Sequence, residues 1–324
     1  MLEPPDVAPA TLLVVSRSSS PVPFKLSSKP MCLPDPATLE RAARFLKTSQ
    51  DYRILRKLRP VAGFHEPKPG MQSAVGVAID VETTGLDCAS DKIIELAVQR
   101  FRYDPEGRIV QVGQPRVWRE DPERALDPLI TRLTGLTDDV LKGQVIEDET
   151  ALEILSSADL IVAHNAAFDR PFVDKRLPAI AGKAWACSMA EPNWLELGFD
   201  GRAVAHLVSQ CGWFYEGHRA EADILALIYL LAHDVPDGRT VMSHLMAASS
   251  RPSFRVNAVD APFDSKERLK ARGYRWDPVL RFWSKEIPES ERDAEEAWLK
   301  SGVYTGYGEP AFHAVSACDR YRGA

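Results

Sequence analysis

With 324 residues, 45% of them apolar, the chain has material for one full-sized domain with appendages and a properly buried core. No window approaches the roughly 18 consecutive apolar residues of a membrane span, and "MLEPPDVAPATLLVVSRSSS" carries acids and prolines where a secretory leader carries basic residues, so a cytoplasmic protein without membrane contact is expected. The five cysteines (Cys32, Cys88, Cys187, Cys211, Cys318) are scattered and never spaced C-x-x-C, which argues against a disulfide framework or a structural zinc site, and the net charge of −6 argues against broad polyanion binding while leaving room for a local basic surface.

Residues 1–36 are rich in Pro and Ser without periodicity and read as a disordered or loosely attached arm. Over 37–73, Leu39, Ala42, Phe45 and Leu46, then Tyr52, Leu55 and Leu58, fall at helical intervals among basic residues. That spacing predicts a basic helical segment in two pieces, followed by the linker "AGFHEPKPG". The main domain is expected over 74–235. "AVGVAIDVE", "KIIELAVQRFRY" and "RIVQVGQPRVW" read as successive strands, the last two joined by the turn Asp104-Pro105-Glu106-Gly107. Helical stretches around 128–156, the strand "DLIVAHN", a helix from about Phe168, the strand "AWACS" and the helices "AVAHLVSQC" and "EADILALIYLLAH" follow. Strands first, then alternation with helices, predicts an α/β domain with a mixed sheet flanked by helices. Residues 236–252 read as a linker, 253–302 as a small α+β module and 303–324 as a tail.

Asp80 and Glu82 end the first apolar strand, two residues apart and so on one face. Such a pair is solvated, matched by Arg or Lys, or holds a hard cation, which prefers oxygen ligands. Asp169 and Asp223 each fall on the first turn of a helix, where a dipole alone would explain them, and His218 lies in a loop. Taken singly, each has an ordinary explanation; their order and spacing do not. Asp80-Val81-Glu82-Thr83-Thr84-Gly85, His164-Asn165-Ala166-Ala167-Phe168-Asp169 and His218-Arg219-Ala220-Glu221-Ala222-Asp223 reproduce D-x-E-T-T-G, H-N-x-x-F-D and H-x-A-x-x-D. In these the chain resembles the DEDDh 3′→5′ exonucleases, which include the proofreading subunit of the bacterial replicative polymerase (DNA polymerase III epsilon) and RNase T. The resemblance covers residues 74–234 and takes in "LDPLITRLTGLTDDVL".

The resemblance implies a ribonuclease H-like five-stranded mixed sheet and hydrolysis of nucleic-acid phosphodiesters to nucleoside monophosphates, with two Mg²⁺ or Mn²⁺ ions. By the same carry-over Asp80 bridges both ions, Glu82 and Asp223 complete the water-activating site, Asp169 holds the second ion and His218 takes the proton from water. Thr83, Thr84, Asn165 and Phe168 become candidates for substrate contact; for Phe168, burial under the sheet is an equal expectation. His164, His206 and His233 are expected to serve packing or solvent. The expected partner is the single-stranded 3′ end of DNA, favoured over RNA. An oligoribonucleotide-degrading enzyme and, from another class, a non-catalytic nucleic-acid-binding adaptor are the alternatives. The C-terminal sequence offers no counterpart of a polymerase-tethering extension, so an exonuclease separate from a polymerase is expected.

Within Arg251–Lys285, nine Lys/Arg stand against four Asp/Glu, a local excess of basic charge on an acidic chain. Tyr274, Trp276, Phe282 and Trp283 interleave with Arg272, Arg275, Arg281 and Lys285, a pattern suited to single-stranded nucleic acid. Arg272, Arg275, Trp276, Arg281 and Trp283 are therefore candidate nucleic-acid contacts. The competing expectation is that a module this small needs Trp276 and Trp283 for its own core.

Overall fold

The computed structural model describes residues 35–217, 219–278, 280–304 and 308–322. Nearly all of the arm expected at the N-terminus, and His218, lie outside them. Two units divide between Ile54 and Leu55. In the first, helix α1 (Pro36–Leu46) opens with proline at its start and Asp35 as its cap, the carboxylate accepting from the Thr38 amide at 3.0 Å.

The second helix expected before residue 59 does not form. Arg56–Lys57 is instead a short strand, β1, parallel to a strand at Trp213–Phe214, and Leu58 is buried in the core of the second unit. Tertiary burial has overridden a helical spacing. Nor is the following stretch a free linker. The Val112 amide donates to the Ala62 carbonyl at 2.7 Å, and Phe64 packs edge-on against Tyr229 with ring centroids 4.9 Å apart. Gly63 is required there, because a Cβ would sit 2.6 Å from the Val110 carbonyl oxygen.

The main sheet contains β2 (Ala74–Thr83), β3 (Ile93–Tyr103), β4 (Ile109–Val112), β5 (Arg116–Arg119), β6 (Leu160–Ala163) and β7 (Trp185–Cys187). Its order is β4-β3-β2-β6-β7, with β5 also paired to β3; β2–β5 run antiparallel and β6 and β7 parallel to β2. Six strands thus replace the five expected. The single run "RIVQVGQPRVW" breaks at Gly113–Pro115, where proline has no N–H for a ladder, and its halves pair with different parts of β3.

Short helices α2 (Pro128–Thr134) and α3 (Asp138–Leu141) close one end of the sheet over Ile94, Leu126 and Leu136. Helices α4 (Asp148–Ser156) and α5 (Ala166–Arg176) cover the face bearing Val77, Ile79 and Val81. The opposite face, with Ala78 and Ala97, lies under α6 (Val204–Gln210), β8 (Trp213–Phe214) and the apolar α7 (Ala220–Leu231). This is the period-two alternation of a strand between two helical layers.

The linker expected over 236–252 is helix α8 (Val241–Ser249), capped by Thr240, with Val241, Met242 and Leu245 fully buried against the same layer. Beyond it, β9 (Ser253–Ala258), β10 (Arg275–Asp277), β11 (Phe282–Pro288) and β12 (Ala311–Val315) form an antiparallel sheet, order β10-β11-β9-β12, covered by α9 (Lys266–Ala271) and α10 (Arg292–Gly302). The expected tail is therefore structural. It supplies β12 and then runs across the main domain, where the Trp185 amide donates to the Ala317 carbonyl at 2.9 Å and fully buried Arg170 donates to the Cys318 and Arg320 carbonyls at 2.7 and 2.6 Å. No helix among the described residues is long and apolar enough to cross a membrane.

Candidate active site

β2 carries Asp80 and Glu82 on the face turned toward α7, because the intervening Val81 faces the α5 side. The register with β3 shifts between Glu82 and Thr83, a bulge that ends regular pairing beside the two acids. Asp223 enters from the first turn of α7, and carboxylate oxygens of Asp80, Glu82 and Asp223 lie within 4.8 Å of one another. Asp169 comes from the opposite layer, on the first turn of α5, and accepts from the Val81 amide at 3.2 Å. One strand tip thus gathers acids from both helical layers.

This clustering is electrostatically costly in the bare protein. Burial, reinforced by Asp169, Asp223, Glu82 and Glu95, pushes Asp80 well above the carboxylate range. Burial, then Asp223 and Glu95, push Glu82 up to about 7, although Arg219 pulls the other way. Asp169 is pushed up to about 7, chiefly by burial. Among the described residues, no Lys or Arg makes an ion pair with Asp80, Glu82 or Asp169. Closely set carboxylate oxygens, those of Asp80 and Glu82 beyond ion-pair reach of any Lys or Arg among the described residues, fit a hard divalent ion. The donor set is right for Mg²⁺ or Mn²⁺ and wrong for a soft metal.

Thr83 is buried and its hydroxyl donates to the Gly85 carbonyl at 2.6 Å, while the Thr84 hydroxyl donates to Asp91 at 2.9 Å. Arg124 fastens the same turn, donating to Thr84 and Asp91 at 2.6 and 2.8 Å. Both threonine side chains therefore shape the loop, whose Thr84 amide in turn donates to the Lys92 carbonyl at 2.9 Å. A Cβ on Gly85 would lie 2.3 Å from an Asp91 oxygen, so any side chain there would displace that carboxylate from Thr84 and Arg124. Asn165 is exposed at the start of α5. Phe168 is half-buried and packs on Phe172 with centroids 5.2 Å apart, in line with the packing expectation. His164 is held between the Ser188 hydroxyl and the Arg202 carbonyl, both at 2.8 Å, and burial lowers its pKa. His206 pairs with Asp200, and His233 stands edge-on to Phe199.

Two residues of the site escaped the sequence reading. Glu95, 1% exposed, lies directly across from Glu82 on β3. It accepts from Arg119 at 2.9 Å and from the Ala220 amide at 3.1 Å, which ties the start of α7 to the sheet. An acid inside the apolar run "IIELAV" was the available signal. Tyr215 donates its hydroxyl to Asp223 at 2.7 Å, and no local pattern marked it.

The model of the exonuclease family matches residues 77–231. The chain carries a DEDD-type exonuclease domain. The fold is the expected mixed sheet flanked by helices. The PolC-type DNA polymerase III of Listeria welshimeri is 36% identical over 187 residues, which are 56% of this chain and 12% of that one. Its counterpart from Halalkalibacterium halodurans is 41% identical over 100 residues, 30% of this chain and 7% of that polymerase. This chain therefore spans a small fraction of those relatives. A solved structure of exonuclease I aligns over 71% of this chain and 68% of its own, with a TM-score of 0.45 and 16% identity. The exonuclease domain proper is bounded by β2 and α7, yet β1, α8 and the C-terminal tail are all packed onto it.

Proposed function

We propose that this protein is a metal-dependent 3′→5′ exonuclease that removes nucleoside monophosphates from a single-stranded 3′ end, DNA in preference to RNA. The observation that carries the reading is Asp80, Glu82 and Asp223 drawn together within 4.8 Å, with no Lys or Arg among the described residues paired to the first two. A binding protein would gain nothing from bare negative charge beside phosphates. Asp80, Glu82 and Asp223 would hold one divalent ion and Asp80 with Asp169 a second; bound there, such ions acidify water and stabilise a departing oxygen.

The chain's own residues do the rest. Glu95 and Tyr215 fix Asp223 and the start of α7. The turn at Thr83–Gly85, latched by Asp91 and Arg124, is the proposed contact for the terminal nucleotide. His218, five residues before Asp223, is the proposed general base, an imidazole being suited to proton transfer near neutral pH. The preference for DNA follows from the DNA polymerases to which the chain is similar.

The test is digestion of matched 3′-labelled single-stranded DNA, duplex DNA and RNA with Mg²⁺ or Mn²⁺, with and without EDTA, by the full chain and its Asp80→Asn and His218→Ala variants. Mononucleotides released from single-stranded DNA by the wild type alone, and halted by EDTA, are expected. Metal-independent release, or full activity in Asp80→Asn, refutes the assignment; faster digestion of RNA overturns the substrate preference.

A further inference from the structure

We propose that the C-terminal module binds single-stranded nucleic acid on a surface of its own, with Trp276 as the stacking platform and Arg275 and Arg281 meeting phosphates. The proposal rests on the exonuclease reading only for the idea that this is the same strand whose 3′ end is degraded. Nothing in the exonuclease family match reaches the module, which begins more than 20 residues beyond residue 231.

The core of the module is complete without Trp276. Val256, Ala258, Leu269, Tyr274, Ile287 and Leu299 fill it, each at most 3% exposed, with Trp298 stacked over Tyr274. Trp276 instead stands 48% exposed on β10, the edge strand, propped edge-on by half-buried Trp283 at 5.6 Å. A large indole presented to solvent on a rigid strand is a surface for stacking, not a piece of core. Phe263 is 78% exposed with the Lys266 ammonium 4.4 Å above its ring, and the Lys270 ammonium lies 6.0 Å from Trp283. Trp276 and Trp283 are cross-strand partners on one face of the β10–β11 pair, with the Lys270 ammonium beside Trp283, while Arg275, the neighbour of Trp276 in β10, starts from the other face of this edge strand.

The sequence candidates separate cleanly by partner. Arg272 is withdrawn: it grips Glu295 through two contacts of 2.9 and 3.0 Å and lies 4.3 Å over Trp298. Arg275 and Arg281 are exposed, and no acid among the described residues lies within ion-pair distance of either. Between Phe263 and Lys285 seven Lys/Arg face three Asp/Glu, the opposite balance to the whole chain. Exposed rings beside unmatched cations fit bases and phosphates of an unpaired strand, where rings stack without regard to sequence. An apolar peptide would leave the guanidinium groups idle.

The module is also fixed in place. Arg320 donates to Glu286 of β11 at 3.0 Å and to the Ser249 carbonyl of α8 at 2.7 Å, while Tyr321 donates to Glu191 of the main domain at 2.9 Å. A strand held on the module is thus held on a body tied to the domain that carries the acids.

The test is binding of a fluorescent oligo-dT and a matched oligo-rU, by anisotropy in EDTA, to the full chain carrying Asp80→Asn, with Trp276→Ala, Trp276→Phe or Arg275→Ala/Arg281→Ala added. Trp276→Ala is expected to weaken binding roughly 10-fold or more and Trp276→Phe to retain most of it. The double arginine variant should flatten the dependence of log K on log salt by about 1.4, at about 0.7 per single-strand phosphate contact. All these positions are exposed, and unchanged melting temperatures verify folding. Unaltered affinity and salt slope in Trp276→Ala and in the arginine variant overturn the proposal. Loss of binding in these variants, together with no metal-dependent nuclease activity in the wild-type chain, upholds this surface and rejects the exonuclease reading instead.

Discussion

Replacing Asp80 by Asn should stabilise the metal-free protein while destroying its response to divalent ions. In the bare site Glu82 rises from 4.5 to about 7 and Asp169 from 3.8 to about 7, and Asp80 is raised in the same direction, first by burial and then by its acidic neighbours. A carboxyl that holds its proton more tightly when folded contributes stability below its unfolded pKa. That contribution is lost as pH rises toward the folded value. For Glu82 the window runs from about 4.5 to about 7, and its displacement corresponds to about 3 kcal/mol at about 1.4 kcal/mol per pKa unit. Since these acids raise one another, removing one charge relieves a share of the total, about 1–3 kcal/mol at pH 8. At about 2–4 °C per kcal/mol for a domain of this size, the melting temperature should rise by roughly 3–10 °C in EDTA. The gain should shrink to near zero at pH 5, where the wild-type carboxyls are largely protonated. Adding Mn²⁺ at pH 8 should raise the wild-type melting temperature and leave the variant's nearly unmoved. Calorimetry across pH 5–8 with and without Mn²⁺ measures all of this. A variant no more stable than wild type at pH 8 without metal would refute the claim that like-charge crowding is built into this strand tip.

Three further outcomes follow from the same contacts. Glu95→Ala should destabilise the fold by about 1–3 kcal/mol, because Arg119 and the Ala220 amide lose a buried acceptor, whereas Glu95→Gln keeps the amide contact and should lose less; chemical denaturation of both variants separates the two terms. Gly85→Ala should force Asp91 away from Thr84 and Arg124, costing about 1–3 kcal/mol and raising KM more than it lowers kcat, as read by steady-state digestion of a labelled oligonucleotide. A chain ending at Val315 should melt at least several degrees lower than the full chain, because Arg170 loses the Cys318 and Arg320 carbonyls at about 1–3 kcal/mol for each unmet buried group; unchanged melting would make the tail a passenger.

The acid constellation was legible because short motifs carry their own geometry. A two-residue spacing in a strand puts Asp80 and Glu82 on one face, and first-turn positions aim Asp169 and Asp223 back toward the strand ends from which their helices start. Glu95 and Tyr215 were not legible in the same way. Their partners lie 125 and 8 residues away, across a register and a loop that no local pattern encodes. In the C-terminal module the interleaved rings and cations of 272–285 were visible. Their division was not, because Arg272 is claimed by Glu295, a residue 23 positions on, while Arg275 and Arg281 are left to solvent.

Domain boundaries failed for a physical reason of the same kind. Segments such as 60–73, 236–252 and 303–322 look like connections because each is too short or too polar to show a strong period. Their burial depends on acceptors and cavities supplied by distant elements. Val110 leaves room only for Gly63, β7 offers an open edge to Ala317, and Arg170 offers its donors to the carbonyls beyond. Arg170 directly follows Asp169 in the chain, so the helix turn that presents a candidate active-site acid is fastened on its other side by the Cys318 and Arg320 carbonyls of the C-terminal segment. Cutting between the exonuclease domain and its C-terminal module is therefore not a neutral operation. A truncated protein that loses activity would report on the seating of Asp169 as readily as on nucleic-acid binding, and the two are separable only by point substitutions such as Trp276→Ala that leave the tail in place.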